Sequence, residues 1–237
     1  MRARRRERWL RRAEQARDAF GLVLALVVAT YVLTSLLSNR GWDAVILTVA
    51  TSITSIVALT SSHANPRVVR VGMQLSALTV LLATISAISG GHVLLDLASA
   101  IQISLLALAM AFVLIHIVLS PHIGSKTILG ALSVYTALGL LFTYLYGTIE
   151  RLQGGNFFEG VTHPSGSDFL FFSYTTLTTT GYGNLVPGAQ PGRMIAGLEM
   201  MLGQIFLVTL VAVLVSLWRP GEALRRRREE RAASDRA

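Results

Sequence analysis

Cysteine is absent from this chain of 237 residues, and only 14% of its residues are charged. Without cysteine there is neither a disulfide nor a thiolate metal site. The low charge accompanies 52% hydrophobic residues and a mean hydropathy of +0.56. This combination points to a polytopic membrane protein rather than a soluble domain.

Motifs typical of intramembrane enzymes are also missing. The sequence contains no His-Glu-x-x-His metal motif and no Gly-x-Ser-x-Gly nucleophile elbow. Asp96 is the sole aspartate inside an apolar run, so no catalytic carboxylate pair is visible. We therefore expect neither enzymatic activity nor a cofactor.

Six apolar runs are long enough to cross a bilayer. They are Phe20–Leu37, Ala44–Ser62, Val71–Ile88, Val93–Leu119, Lys126–Arg151 and Arg193–Trp218. Short polar turns separate the first four runs, and Ser120–Gly124 breaks the chain before the fifth.

Basic residues are distributed unevenly around these runs. Of the 21 Lys and Arg residues, all but Arg40, Arg151 and Arg193 fall in segments that six spans place on one side. The positive-inside rule then predicts a multi-pass protein of the cell inner (plasma) membrane with both termini cytoplasmic.

The basic N-terminal segment has two open interpretations. Trp9, Ala13, Ala16 and Phe20 fall at helical spacing among arginines, which suits an amphipathic helix on anionic membrane lipids. The alternative is a disordered basic tail that only sets orientation. Nucleic-acid binding is not expected, because topology explains a basic run beside a membrane helix.

One uncharged stretch, Thr178–Asn184, follows a short helix-like segment, Asp168–Leu177, between the last two apolar runs. A bare potassium ion gives up its water only where rings of backbone carbonyls replace those oxygens. Carbonyls that all face one axis need alternating backbone conformations that include positive φ. Gly181 and Gly183 reach such conformations at little cost.

The surroundings make this Gly-Tyr-Gly stretch informative. Irregular backbone at membrane depth is tolerated only when it is buried in protein or lines a water-filled path. Tyr182 can pack outward and brace the ring, while Thr179 adds a hydroxyl at the inner mouth. The negative dipole end of the preceding helix favours a cation there. We therefore predict an ion-selective pore with one quarter per chain, and hence a homotetramer.

The stretch Ser167–Asn184, S-D-F-L-F-F-S-Y-T-T-L-T-T-T-G-Y-G-N, resembles the pore loop of the potassium channel superfamily. Gly192–Gln204, G-R-M-I-A-G-L-E-M-M-L-G-Q, is similar to the inner helix of small bacterial members. The resemblance covers Lys126–Trp218. It implies an all-α membrane protein with a four-helix transmembrane collar, then an outer helix, a re-entrant pore helix with its filter, and an inner helix.

Charge, hydropathy and this resemblance together divide the chain into four predicted parts. They are a basic cytoplasmic N-terminal segment (1–19), a four-helix domain (20–120), a pore domain (126–219) and a basic cytoplasmic tail (220–237). We expect the tail to be too short for a folded regulatory domain.

The resemblance also implies which residues hold and support the ion. K⁺ would bind the carbonyls and the hydroxyl of the filter, formed by Thr179, Thr180, Gly181, Tyr182 and Gly183. Supporting residues would be Phe171, Phe172, Thr175, Thr178, Asn184 and Glu199. Gly203 stands at the position of the family's hinge glycine, and close helix packing is its alternative role.

Three departures from the commonest family pattern bear on this expectation. Thr180 replaces Val or Ile, which leaves the backbone oxygens in place. Asn184 replaces Asp, and Phe171-Phe172 replaces a Trp-containing pair. These two changes remove polar partners that brace the filter, so they concern filter stability and inactivation more than selectivity.

Ionisable residues inside the runs have specific expected roles. Val93–Leu119 contains neither Arg nor Lys, so strong voltage sensing is not expected. Asp96 either reaches the interface or pairs within the collar, and His116 is either an interfacial histidine or a proton sensor. Glu199 should hydrogen-bond to the pore helix, at Thr175 or Thr176, rather than contact ions.

Three other functions compete with a potassium channel. A less selective cation channel would have the same architecture. A carrier built on related pore loops would have four imperfect copies in one chain, whereas this chain has one near-ideal copy. A purely structural membrane protein would have no need of the filter sequence.

Overall fold

The computed structural model describes residues 19–37, 41–91, 93–119 and 125–217, without the side chains of residues 125, 126 and 214. Most of the predicted basic N-terminal segment (1–19) lies outside these residues. So do the tail (220–237), the predicted break at Ser120–Gly124, and Trp218.

The described residues form helices joined by short turns. The seven helices in this part of the chain are α1 (Phe20–Leu36), α2 (Trp42–Ser61), α3 (Pro66–Ser89), α4 (Val93–Leu119), α5 (Ser125–Leu152), α6 (Gly166–Leu177) and α7 (Gly192–Leu217). The expected all-α membrane fold is confirmed.

Among the described residues, five helices are long and apolar enough to cross a membrane: α2, α3, α4, α5 and α7. Helix α1 is apolar but has 17 residues, the lower limit for a span. Helix α6 has 12 residues and is too short to cross. It enters between α5 and α7, against both of which it packs.

Helices α3 and α6 begin earlier than the sequence predicted. Helix α3 begins at Pro66 rather than Val71, because the Asn65 side chain accepts a hydrogen bond from the Arg67 N–H and proline suits the first helical position. Helix α6 begins at Gly166, because Ser165 is its N-cap and forms a capping box with Asp168. Asp168 thus contributes to the cap from the N3 position and not as the N-cap itself.

The collar helices α1 to α4 pack around an interior that is partly polar. The hydroxyls of Thr30 and Thr54 lie 3.1 Å apart, and Thr51 lies 2.9 Å from the Tyr144 hydroxyl of α5. These buried hydroxyls link α1, α2 and α5, which stabilises helix contacts where lipid offers no hydrophobic driving force. The collar is thus bonded to α5.

An ion pair also joins the collar to α5. Arg151 Nε lies 2.6 Å from Asp96 Oδ1, and its guanidinium donates further hydrogen bonds to Ser99 and Thr148. Asp96 is therefore paired, but with Arg151 of α5 and not within the collar as the sequence suggested. At the opposite end of α4, His116 stacks on His63 with ring centroids 5.1 Å apart.

Candidate functional site

Helix α6 ends at the stretch predicted to be the filter. Its buried side chains, which include Phe169, Leu170 and Leu177, pack between α5 and α7. From Thr178 to Asn184 every residue is exposed in the single chain, and Tyr182 retains 70% of its accessible surface. The stretch therefore lines an open side of the subunit.

The backbone of this stretch alternates in handedness. φ is positive at Thr179 (56°), Gly181 (50°) and Gly183 (78°), and at none of the residues between them. Such alternation turns successive carbonyls toward the same side. Two of the three positions are the glycines expected from the sequence. Positive φ at Thr179 was not predicted, and it is strained because a β-branched side chain rarely adopts it.

Hydrogen bonds show which side the carbonyls face. The N–H groups of Thr180 and Gly181 both donate to the Thr175 carbonyl, at 2.8 and 3.1 Å. The Thr179 N–H donates to the Thr176 carbonyl at 3.0 Å. Because these three N–H groups bond back to α6, they do not face the open side, and we expect the carbonyls to face it. A row of carbonyls is suited to a bare cation.

Hydroxyl groups add to this arrangement at the end of α6. Thr178 Oγ1 donates to the Tyr174 carbonyl at 2.7 Å and lies 2.9 Å from Thr180 Oγ1. The Thr175 hydroxyl instead bonds back to the Phe172 carbonyl. Thr175 thus contacts the stretch through its backbone oxygen, whereas the Thr178 side chain bonds to Thr180 within the stretch.

The two predicted aromatic supports occupy different surroundings. Phe171 stacks on Tyr182 with ring centroids 5.6 Å apart and an interplanar angle of 18°. Phe172 points instead into a buried aromatic cluster with Tyr146, Phe157 and Phe158. Only Phe171 therefore touches the filter stretch directly, while Phe172 holds α6 against its neighbours. Asn184, at the far end of the stretch, is exposed.

Glu199 on α7 is completely buried and hydrogen-bonded at both oxygens. The Tyr146 hydroxyl donates to Oε2 at 2.6 Å, and the Ser173 hydroxyl lies 2.6 Å from Oε1. The bond to α6 was predicted, but its partner is Ser173 and not Thr175 or Thr176. Helices α6 and α7 run in the same direction. Glu199 contacts Ser173, which is one turn before Leu177, the last residue of α6.

Replacing Glu199 tests how much this network stabilises the fold. Glu199→Ala should lower the free energy of unfolding by about 3 kcal/mol, because it leaves the buried Tyr146 hydroxyl without its acceptor and opens a cavity. Glu199→Gln should cost far less. Ser173 has one hydrogen and also lies 2.8 Å from the Gly139 carbonyl, so a glutamine amide can donate to Ser173 and accept from Tyr146.

Denaturation of the purified protein by SDS in mixed micelles would measure both Glu199 variants. Equal stability of Glu199→Ala and Glu199→Gln would contradict the assigned hydrogen bonds.

Gly203 lies where α7 meets the end of α6. A Cβ at this position would overlap the backbone oxygen of Leu177 and crowd its side chain. Of the two roles considered for Gly203, this contact supports close packing. The next residue, Gln204, donates from Nε2 to Thr179 Oγ1 at 2.9 Å.

Sequence reasoning missed Tyr146, Ser173 and Gln204. A signal was present for Gln204, because an amide in the middle of an apolar helix needs a partner. No comparable signal existed for Tyr146 or Ser173, whose bonds depend on the packing of three helices.

Residues 130–219 match a protein-family model that is described as an ion channel. The match begins within α5, includes α6 and the filter stretch, and extends through α7. No curated protein and no solved structure matches the chain significantly. The collar helices lie outside the matched residues.

Proposed function

We propose that this chain is an ion channel of the potassium channel superfamily and that it conducts K⁺ passively through a filter formed by Thr178–Asn184. The match of residues 130–219 to an ion channel model supports the first part of this proposal. The observation that carries the proposal is the alternation of positive φ at Thr179, Gly181 and Gly183. It leaves carbonyls on one open side, where they can replace the water of a dehydrated cation.

We propose a homotetramer, which the same geometry supports. One chain contributes one row of carbonyls, and a closed ring around the ion needs four rows. The open side of the subunit supports this, because Tyr182 is 70% exposed and the neighbouring helix α7 has exposed apolar residues. These include Met201, Ile205 and Val208. Contacts between subunits would cover such surface.

Orientation in the plasma membrane follows from charge. Both basic ends of the chain are proposed to be cytoplasmic, where anionic lipids attract Lys and Arg. The turn between α5 and α6 and the filter mouth then lie outside. Helix α4 contains neither Arg nor Lys, so the collar is proposed to act as a lipid-facing support with weak voltage sensitivity. Membership in an ion channel family and a membrane-spanning helical fold point to a protein that is not an enzyme.

Cation uptake into proteoliposomes tests the proposal. Purified protein should produce K⁺ uptake that exceeds Na⁺ uptake and that Ba²⁺ blocks, whereas protein-free liposomes should show neither. Equal K⁺ and Na⁺ uptake would replace the proposal by a less selective cation channel, for which Thr180 and Asn184 would be the first residues to test. Slow, saturable uptake coupled to a second ion would favour a carrier.

A further inference from the structure

Gln204 is brought to the base of the filter by its neighbour in α7. Gly203 is buried and has no side chain, so α7 approaches the Leu177 carbonyl more closely than any larger residue would allow. Gln204 then extends to the first residue of the filter with inverted φ, Thr179. Its side chain is exposed in the single chain, on the open side that the filter also faces.

The hydroxyl of Thr179 both donates a hydrogen bond and accepts one within the same chain. Its hydrogen is directed to the Thr178 carbonyl at 2.7 Å, and one lone pair accepts the Gln204 amide at 2.9 Å. A threonine hydroxyl has one hydrogen and two lone pairs. One lone pair therefore remains for a ligand, and the rotation of the hydroxyl is fixed.

We propose that Gln204 is a positioning residue for the innermost cation site, where it holds the Thr179 hydroxyl with its free lone pair toward the ion. This inference rests on the proposed function, since it concerns an ion site of the same filter. A hydroxyl that cannot rotate presents an oxygen and not its hydrogen to a cation. The site then needs no reorganisation when the ion arrives.

A divalent cation of similar size is the sharpest probe of this site. Ba²⁺ is close to K⁺ in radius but has twice the charge, so an oriented lone pair changes its affinity more. Gln204→Met removes the amide while it keeps the length and flexibility of the side chain. In this variant we expect Ba²⁺ block of the K⁺ uptake that the variant shows to weaken by about fivefold or more.

A second variant separates the hydrogen bond from general polarity near the filter. Val208 lies one turn beyond Gln204 on the same face of α7 and is 64% exposed. Adding Val208→Gln to Gln204→Met restores an amide to this face, but too far from Thr179 to bond it. The double variant should keep the weakened Ba²⁺ block. Gln204→Ala serves as the replacement if Gln204→Met does not assemble.

The outcomes distinguish this inference from the proposed function. Absence of K⁺-specific uptake by the unaltered protein would overturn the proposed function. If that protein does conduct K⁺, unchanged Ba²⁺ block in both Gln204→Met and Gln204→Ala would overturn the role of Gln204. Recovery of block by Val208→Gln would do the same, because it would show that any nearby amide suffices.

Discussion

Replacement of Gly181 by alanine is expected to abolish K⁺ uptake into proteoliposomes. The backbone at Gly181 has a φ of 50°, which an L-residue with a side chain reaches only with strain. The relief of that strain rotates the adjoining peptide and turns a carbonyl away from the open side. Since all four chains of a homotetramer would have the substitution, all four carbonyls in the ring at this level would be altered.

Gly160→Ala is the matched control for this prediction. Gly160 has a φ of 74° and, like Gly181, open space around a built Cβ. It lies in the turn between α5 and α6, outside the filter stretch. Both variants therefore introduce the same kind of backbone strain, of about 1–2 kcal/mol, but only one alters carbonyls that face the ion. If Gly181→Ala conducted K⁺ as the unaltered protein does, the proposed filter would be wrong.

The second large effect is expected at Gly203. Alanine is a better helix former than glycine by about 1 kcal/mol, so helix propensity alone predicts that Gly203→Ala is stabilising. The structure predicts the opposite, because the new Cβ would overlap the Leu177 backbone oxygen. Helix α7 must then move away from the filter base, at a cost of about 1–3 kcal/mol. The Gln204–Thr179 bond would be lost with it.

K⁺ uptake by Gly203→Ala should therefore fall by about tenfold or more, and stability in SDS should fall as well. The control is Gly197→Ala on the same helix, where a Cβ has nothing within 4 Å. That variant should be as stable as the unaltered protein or more so. A hinge role predicts something different for Gly203→Ala, namely unchanged stability with altered opening. Such a result would contradict the packing role argued from the structure.

Membership in the membrane class and the all-α fold could be read from composition. Long uncharged runs cannot form soluble domains, and only helices satisfy their backbone groups within one segment of a bilayer. Helices α4 and α7 begin within one residue of their predicted starts, because charged or glycine-containing turns precede them. Helix α3 was misjudged at its start, where a capping Asn65 and Pro66 extend the helix into residues that looked like a turn.

The filter stretch was also visible from the sequence, since glycine at Gly181 and Gly183 is a local requirement of backbone geometry. Local sequence did not reveal positive φ at Thr179, which goes against the preference of a β-branched residue. That conformation is kept by bonds from neighbouring N–H groups to α6 and by Gln204 on α7. Such strain persists only where the surrounding structure imposes it.

The sequence by itself determined that this is a helical membrane protein, and it predicted the pore stretch, because hydropathy and glycine placement act within one segment. The tertiary structure alone decided the partners: Asp96 with Arg151, Glu199 with Tyr146 and Ser173, and Gln204 with Thr179. A buried polar group requires some partner, but the identity of that partner depends on the level at which neighbouring helices pack against each other. For Gln204 and Thr179, that level follows from the close contact at Gly203, where α7 packs against the end of α6.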